Sequence, residues 1–228
     1  ACMVMVGGLN VSPTFAAAAS DVPVLGGLFQ ILTVRNYDAE DGQVNQHVSV
    51  PEVDAEGDLA QQVNAEIQER VDAHLAQAQQ VWEDYHDAFI ATGGTEDEWS
   101  QREMNVDVNY EIKSQTDTTV SFVVTMTQDM FDAYNEQTYY NLDIAADKDI
   151  TLADVLGEDW VNICNAAVQT YIDQDTTGLF FSADEGGFTT VDEATSFYLN
   201  EDGSVTLVFP EYAIAAGAAG IVEIPVAG

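Results

Sequence analysis

Apolar residues change their spacing along this chain, and the changes mark out its elements. Leu59, Val63, Ile67, Val71, Leu75, Ala78, Trp82, Tyr85 and Phe89 recur at steps of four and three, which sets them on one face of an α-helix spanning 58–92. Asp58 is the expected N-cap, and Gly93 with Gly94 the stop. At about 1.5 Å per residue the helix is about 50 Å long, so its apolar stripe needs a sheet or a second helix against it. On either side the period falls to two. Residues 29–35 and 43–50 predict a strand pair, with turn chemistry at 38–42. Residues 104–113, 119–127 and 138–145 predict an antiparallel meander. The segment 151–156 leads into a second helix over 158–172, with Trp160, Val161, Ile163, Cys164, Ala167 and Val168 in its apolar set. Residues 196–199 and 205–209 flank Asn200-Glu201-Asp202-Gly203, a hairpin signal, and 221–226 closes the chain as a strand.

Helices and strands that are segregated, not strictly alternating, indicate an α+β fold: a long amphipathic helix and a second helix packed on antiparallel sheet or sheets. The expected organisation is a membrane-proximal stretch over 1–21, an N-terminal α+β lobe over 22–146 and a C-terminal lobe over 147–228. The first eleven residues, ACMVMVGGLNV, are uncharged and mostly apolar. A span takes about 20 residues, so the run is expected to be the end of a longer membrane segment. Pro13 and a run of small residues follow it. Signal peptidase accepts small side chains three positions and one position before the cut. Ala16 with Ala18, and Ala17 with Ala19, both fit, against the alternative of an alanine-rich linker. Either way, the body of the chain is expected outside the cytoplasm.

Charge narrows the function classes. The 228 residues carry 40 Asp+Glu against 5 Lys+Arg, a formal net charge of −35, while 46% hydrophobic content is that of a folded protein. Arg35, Arg70, Arg102, Lys113 and Lys148 are too few and too scattered to replace the counterions of a nucleic acid or to hold anionic headgroups. A basic partner would be steered in quickly; the competing reading is that the acidity serves solubility alone. Cys2 and Cys164 lie in unrelated segments and are not expected to pair.

Catalytic chemistry has little support. His74 and His86 are twelve residues apart on one helix, about 120° around its axis, so they cannot share a metal; His47 stands elsewhere. HExxH, GxSxG and cysteine clusters are missing from the sequence. No cofactor is expected, and the chain is not expected to be an enzyme. Asp173, Asp175, Thr177, Gly178 and Asp184 match five positions of an EF-hand loop. The segment after them does not look helical, and a solvated turn is the competing reading.

The C-terminal run is more specific. Phe197-Tyr198-Leu199, the turn at 200–203, then Val205 through Phe209-Pro210-Glu211-Tyr212-Ala213-Ile214-Ala215-Ala216-Gly217 and Ile221-Val222-Glu223-Ile224-Pro225 resembles the end of the RsiV-like ectodomain family (DUF3298-type domain with a preceding DUF4163/PdaC-like region). Asn141-Leu142-Asp143 followed by Ile150-Thr151-Leu152-Ala153-Asp154-Val155-Leu156 is similar to that family's middle signature. Asn10-Val11-Ser12-Pro13-Thr14-Phe15-Ala16, continuing to Val22-Pro23-Val24-Leu25-Gly26, resembles its juxtamembrane stretch. The resemblance implies the extracytoplasmic sensor of a membrane-bound anti-sigma factor. Such a protein holds a sigma factor through a cytoplasmic segment, binds lysozyme outside, and is then opened to signal peptidase and intramembrane proteolysis. Pro210, Glu211 and Tyr212 are the candidate partner-binding residues; the alternative packs Tyr212 in the core. The family's Tyr-Glu-Ile-Ala-Pro-Tyr-Ala-Ala-Gly tail is altered after Tyr212, losing a Glu, a Pro and a second Tyr. A second reading is a non-catalytic cell-wall-associated module of the kind found beside peptidoglycan deacetylases.

Overall fold

A computed structural model describes residues 29–41, 43–130 and 134–226. Two sheets carry the architecture: a six-stranded sheet in the order β1-β2-β3-β4-β5-β6 and a three-stranded sheet in the order β7-β8-β9. Together with the helices they form an α+β protein.

β1 (Gln30–Asp41) and β2 (Val44–Asp54) form an antiparallel pair registered from Gln30↔Asp54 to Asp41↔Val44. The turn residues expected to reverse the chain at 38–42 are largely strand. Asp38 sits opposite His47, and its carboxylate meets His47 Nδ1 at 2.8 Å. That cross-strand pair holds the ladder together through residues with turn propensity.

The long helix α1 (Asp58–Ala91) matches the 3.6-residue pattern. Its expected cap does not. The N-cap is Gly57 at φ 142, and the Leu59 N–H donates instead to Asp147 Oδ1 at 3.0 Å, across 88 residues of chain. A Cβ at Gly57 would stand 2.5 Å from that oxygen, so only glycine lets the carboxylate reach the helix end. α1 lies across the sheet, with Val63, Ile67 and Val71 packed among Val50, Val108 and Phe122 in one core. It carries the chain over to β3 (Met104–Gln115), which pairs parallel with β2, from Val44↔Met104 to Val48↔Val108. Near its far end Trp82 packs on Trp99 of α2 (Glu96–Trp99), with ring centroids 4.5 Å apart. Arg102 closes this cluster with its guanidinium 4.6 Å from the Phe89 centroid.

β4 (Thr119–Gln128) and β5 (Tyr134–Asp143) complete the antiparallel meander, and the two-residue β6 (Lys148–Asp149) pairs only with the end of β5. α3 (Leu152–Leu156) starts at a capping box between Thr151 and Asp154. α4 (Trp160–Gln174) buries Cys164 and Val168 against β7 (Ser196–Leu199), β8 (Val205–Phe209) and β9 (Val222–Val226) in a second core. Burial pushes the Cys164 thiol up to about 11.

A small polar network joins the sheets. Ser121 Oγ donates to Asn141 Oδ1 at 2.6 Å and accepts the Leu199 N–H at 3.0 Å, while Asn141 Nδ2 donates to Phe197 O at 2.8 Å. Ser121 and Asn141 are both buried, and both are satisfied. Beside them the Tyr139 and Tyr198 rings stack 5.9 Å apart. Among the described residues, no helix is long and apolar enough to cross a membrane.

Candidate functional site

The turn after β8 is clamped on both sides. Phe209, the last residue of β8, is buried and paired with Val222 of β9. After four intervening residues, Ile214 and Ala215 are buried in the same core. Phe181 N–H bonds Ile214 O at 3.0 Å, and Ala216 N–H bonds Leu179 O at 2.8 Å. Between these anchors, Ala213 N–H closes back on Pro210 O at 3.1 Å, and Pro210, Glu211 and Tyr212 face solvent.

Tyr212 is therefore not a core residue: it is 70% exposed. Its backbone lies at φ 65, in the left-handed region that a bulky L-residue enters at a free-energy cost. The ring lies over Gly217, where an added Cβ would come within 2.3 Å of its Cζ and Oη atoms. Gly217 is thus the seat of the ring, and any side chain there would push the ring off it. Sequence reasoning quoted Gly217 within the tail but assigned it no such role. The signal, a glycine five residues after an aromatic, is not legible without the turn that folds one over the other.

Pro210 and Glu211 also line a cavity of about 290 Å³ between the sheets, with Glu136, Tyr139, Val208 and Ile221. A second cavity of about 570 Å³ lies beside it, bounded by Tyr140, Asp149, Leu152, Trp160, Glu193 and Phe197. Tyr139 and Ser196 touch both.

The five cations are all engaged, and of their partners only Glu136 lines either cavity. Arg35 meets Asp72 at 2.6 Å, Arg70 meets Glu66 at 2.9 Å and Glu136 at 2.7 Å, Lys113 meets Glu111 at 2.8 Å, and Lys148 meets Asp154 at 2.6 Å. Arg102 lies over the Phe89 and Tyr85 rings. The field around the turn is accordingly that of the carboxylates.

Among the described residues, no group of three or more His, Cys, Asp or Glu is placed to hold a metal. In the EF-hand-like stretch, Asp175 accepts from Thr177 N, Thr177 Oγ1 and Gly178 N at 3.0, 2.8 and 2.8 Å, and Asp184 falls in a separate 3₁₀ turn over Ala183–Glu185. Those carboxylate oxygens close a local turn. His74 is buried, which pulls its imidazole below the ordinary histidine range, whereas bonding to Glu96 raises His86. Ala16, Ala17, Ala18, Ala19 and Cys2 lie outside the described residues.

Residues 148–227, which carry the turn, match the family described as "Protein of unknown function (DUF3298)". Over most of its length the chain is similar to the anti-sigma-V factor RsiV of Bacillus subtilis (strain 168). The two are 22% identical over 223 residues, covering 94% of this chain and 74% of that protein. A DUF3298-family crystal structure from Bacteroides fragilis superposes with a TM-score of 0.58 at 13% identity, covering 88% of this chain and 90% of the other, which shows a shared fold. A DUF3298-family structure from Pseudomonas aeruginosa PAO1 gives 0.44 at 15% identity over 87% and 88% of the two chains, a level from which nothing further follows.

Proposed function

We propose that this chain is the extracytoplasmic sensor of a membrane-anchored anti-sigma factor, and that Pro210, Glu211 and Tyr212 form part of its contact with a basic extracellular protein, lysozyme. The observation that carries this reading is Tyr212, a large aromatic that is 70% exposed and held at φ 65 on a glycine seat. An exposed aromatic on a strained backbone suits an interface anchor: tyrosine brings a large contact area at the entropy cost of only two side-chain torsions. The net charge of −35 supports a cationic partner, which it would attract and orient before contact. The similarity to an anti-sigma factor supports the regulatory role.

In this reading the protein acts by docking, without turnover. Lysozyme binding exposes the alanine-rich stretch to signal peptidase, and proteolysis then releases the sigma factor held on the cytoplasmic side.

Calorimetric titration with a c-type lysozyme tests the ligand. Binding of about micromolar strength or tighter is expected at low ionic strength, weakening as salt screens the attraction. No heat of binding at low salt overturns lysozyme as the partner. For the processing step, the membrane-inserted protein is incubated with signal peptidase with and without lysozyme, and the product's N-terminus is sequenced. A new end after Ala18 or Ala19 that depends on lysozyme is expected; cleavage elsewhere, or independent of lysozyme, overturns that step.

A further inference from the structure

The outer edge of β5 is open. On one side β5 pairs with β4 along its whole length; on the other, β6 covers only Leu142 and Asp143, and Ile150 N–H reaches Asn141 O at 2.7 Å. In an antiparallel ladder the N–H and C=O of one residue point to the same side, and the side alternates along the strand. Asn141 faces outward, so Tyr139, Gln137 and Asn135 do too. Among the described residues no strand pairs with them.

The two cavities flank this open stretch and share Tyr139 and Ser196 in their walls, so they lie end to end along one groove-shaped face. One end is Trp160 and Leu152; the other is Pro210, Glu211 and Ile221. Its walls mix apolar surface with the carboxylates of Glu136, Asp149, Glu193 and Glu211, and no Lys or Arg lines it. Glu136 answers Arg70, and among the described residues no cation stands within ion-pair distance of the other three.

An open edge is ordinarily a liability, because any second strand can add to it. Pairing with another copy is opposed here by the repulsion of two chains at −35 each. We propose that the free edge of β5 takes up an extended basic segment of the protein partner as an added strand, laid in the groove and leading to the Pro210 turn. This rests on the reading of the chain as a receptor for a basic protein. At about 3.4 Å per residue the open stretch is about 20 Å long, room for five or six partner residues. Main-chain bonds to Tyr139, Gln137 and Asn135 would supply affinity; alternate side chains reaching the carboxylates would supply selection for Lys or Arg.

The probe is a blocked heptapeptide alternating lysine and valine, titrated at low ionic strength by fluorescence anisotropy. Two copies are compared with it, each N-methylated on one alternate set of amides. Methylating the set that faces the edge is expected to weaken binding at least tenfold, and methylating the other set to leave it nearly unchanged. Gln137→Pro, which removes an outward N–H together with the acceptor of the Tyr139 hydroxyl, should reproduce the loss while Gln137→Ala, which removes that acceptor alone, should not, with thermal melts to check that both fold. Equal binding of all three peptides, or no binding of the unmethylated one, overturns the proposal. Lysozyme that binds while the peptide fails leaves the proposed partner standing and removes the added strand; a peptide that binds by its edge amides while lysozyme fails does the reverse.

Discussion

β8 is bounded by two turns that each place a residue in the left-handed region, and the chain fills them with opposite residue types. At its start, Gly203 takes φ 81 with nothing within 4 Å of where a Cβ would be. That turn is tied down internally: Asn200 Nδ2 donates to Ser204 Oγ at 2.9 Å and Thr206 Oγ1 at 3.0 Å, and Asp202 Oδ1 accepts from Ser204 N at 2.9 Å and Oγ at 2.6 Å. At its end, Tyr212 takes φ 65 with its ring out in solvent. The first turn spends its side chains on its own geometry, as folding requires. The second puts a residue that disfavours the conformation where glycine would be relaxed, and exposes what it holds there. Strain without a local structural return is what motivates the proposal that this turn meets a partner.

The largest expected effect separates the two turns by function. Tyr212→Ala should weaken lysozyme binding by about 100-fold, roughly 2.7 kcal/mol, the scale of an interface hot spot. Its thermal midpoint should barely move, since the ring is mostly exposed. Titration calorimetry beside a melting curve measures both. A Tyr212→Ala variant that binds as tightly as the parent would place the contact elsewhere.

Stability separates them in the opposite sense. Gly203→Ala adds a Cβ in open space, so the left-handed backbone alone sets the cost, about 1–2 kcal/mol. Tyr212→Gly relieves the same conformation, but glycine also gains freedom in the unfolded chain. The two offset each other, and a change below about 1 kcal/mol is expected. Urea denaturation of both variants compares them directly.

Gly217→Ala sharpens the same contrast from below. The new methyl would occupy the place of the Tyr212 ring, so the ring must leave its seat. Lysozyme binding should weaken by about 5- to 10-fold, less than for removal of the ring, because the displaced tyrosine still offers part of its surface at an added entropy loss. A crystal structure of the variant would show the ring moved.

How much of this was legible beforehand follows from the range of each interaction. α1, the meander and the 200–203 hairpin were readable because periodicity and turn chemistry are local. The parallel pairing of β2 with β3 was not, since it is fixed by where α1 delivers the chain. Asp58 looked like a cap because nothing in the sequence announces that Asp147 arrives from the far end of the meander. Ser121 and Asn141 carry no local sign of burial, yet they form the buried link between the sheets. Pro210, Glu211 and Tyr212 were singled out as candidates by resemblance; the open edge of β5 depends on where β6 stops and carries no residue signature.

The smallest expected effect lies in acid and touches only the first turn. Bonds from the Ser204 hydroxyl and the Ser204 N–H hold the Asp202 carboxylate below the usual aspartate range. A depressed folded value means that this support is fully present above the unfolded value near 3.8 and is lost as pH falls through the folded one. Asp202→Asn keeps a side-chain acceptor but removes the titration. Its thermal midpoint should therefore fall less steeply than the parent's below about pH 4. Lysozyme binding near neutral pH should be the same in both proteins, because the 200–203 hairpin shapes the sheet while the proposed contact lies in the turn at 210–213. Parallel acid limbs would remove Asp202 from the account of the hairpin; weaker binding at neutral pH would mean that the two ends of β8 are not as separate in function as their geometry implies.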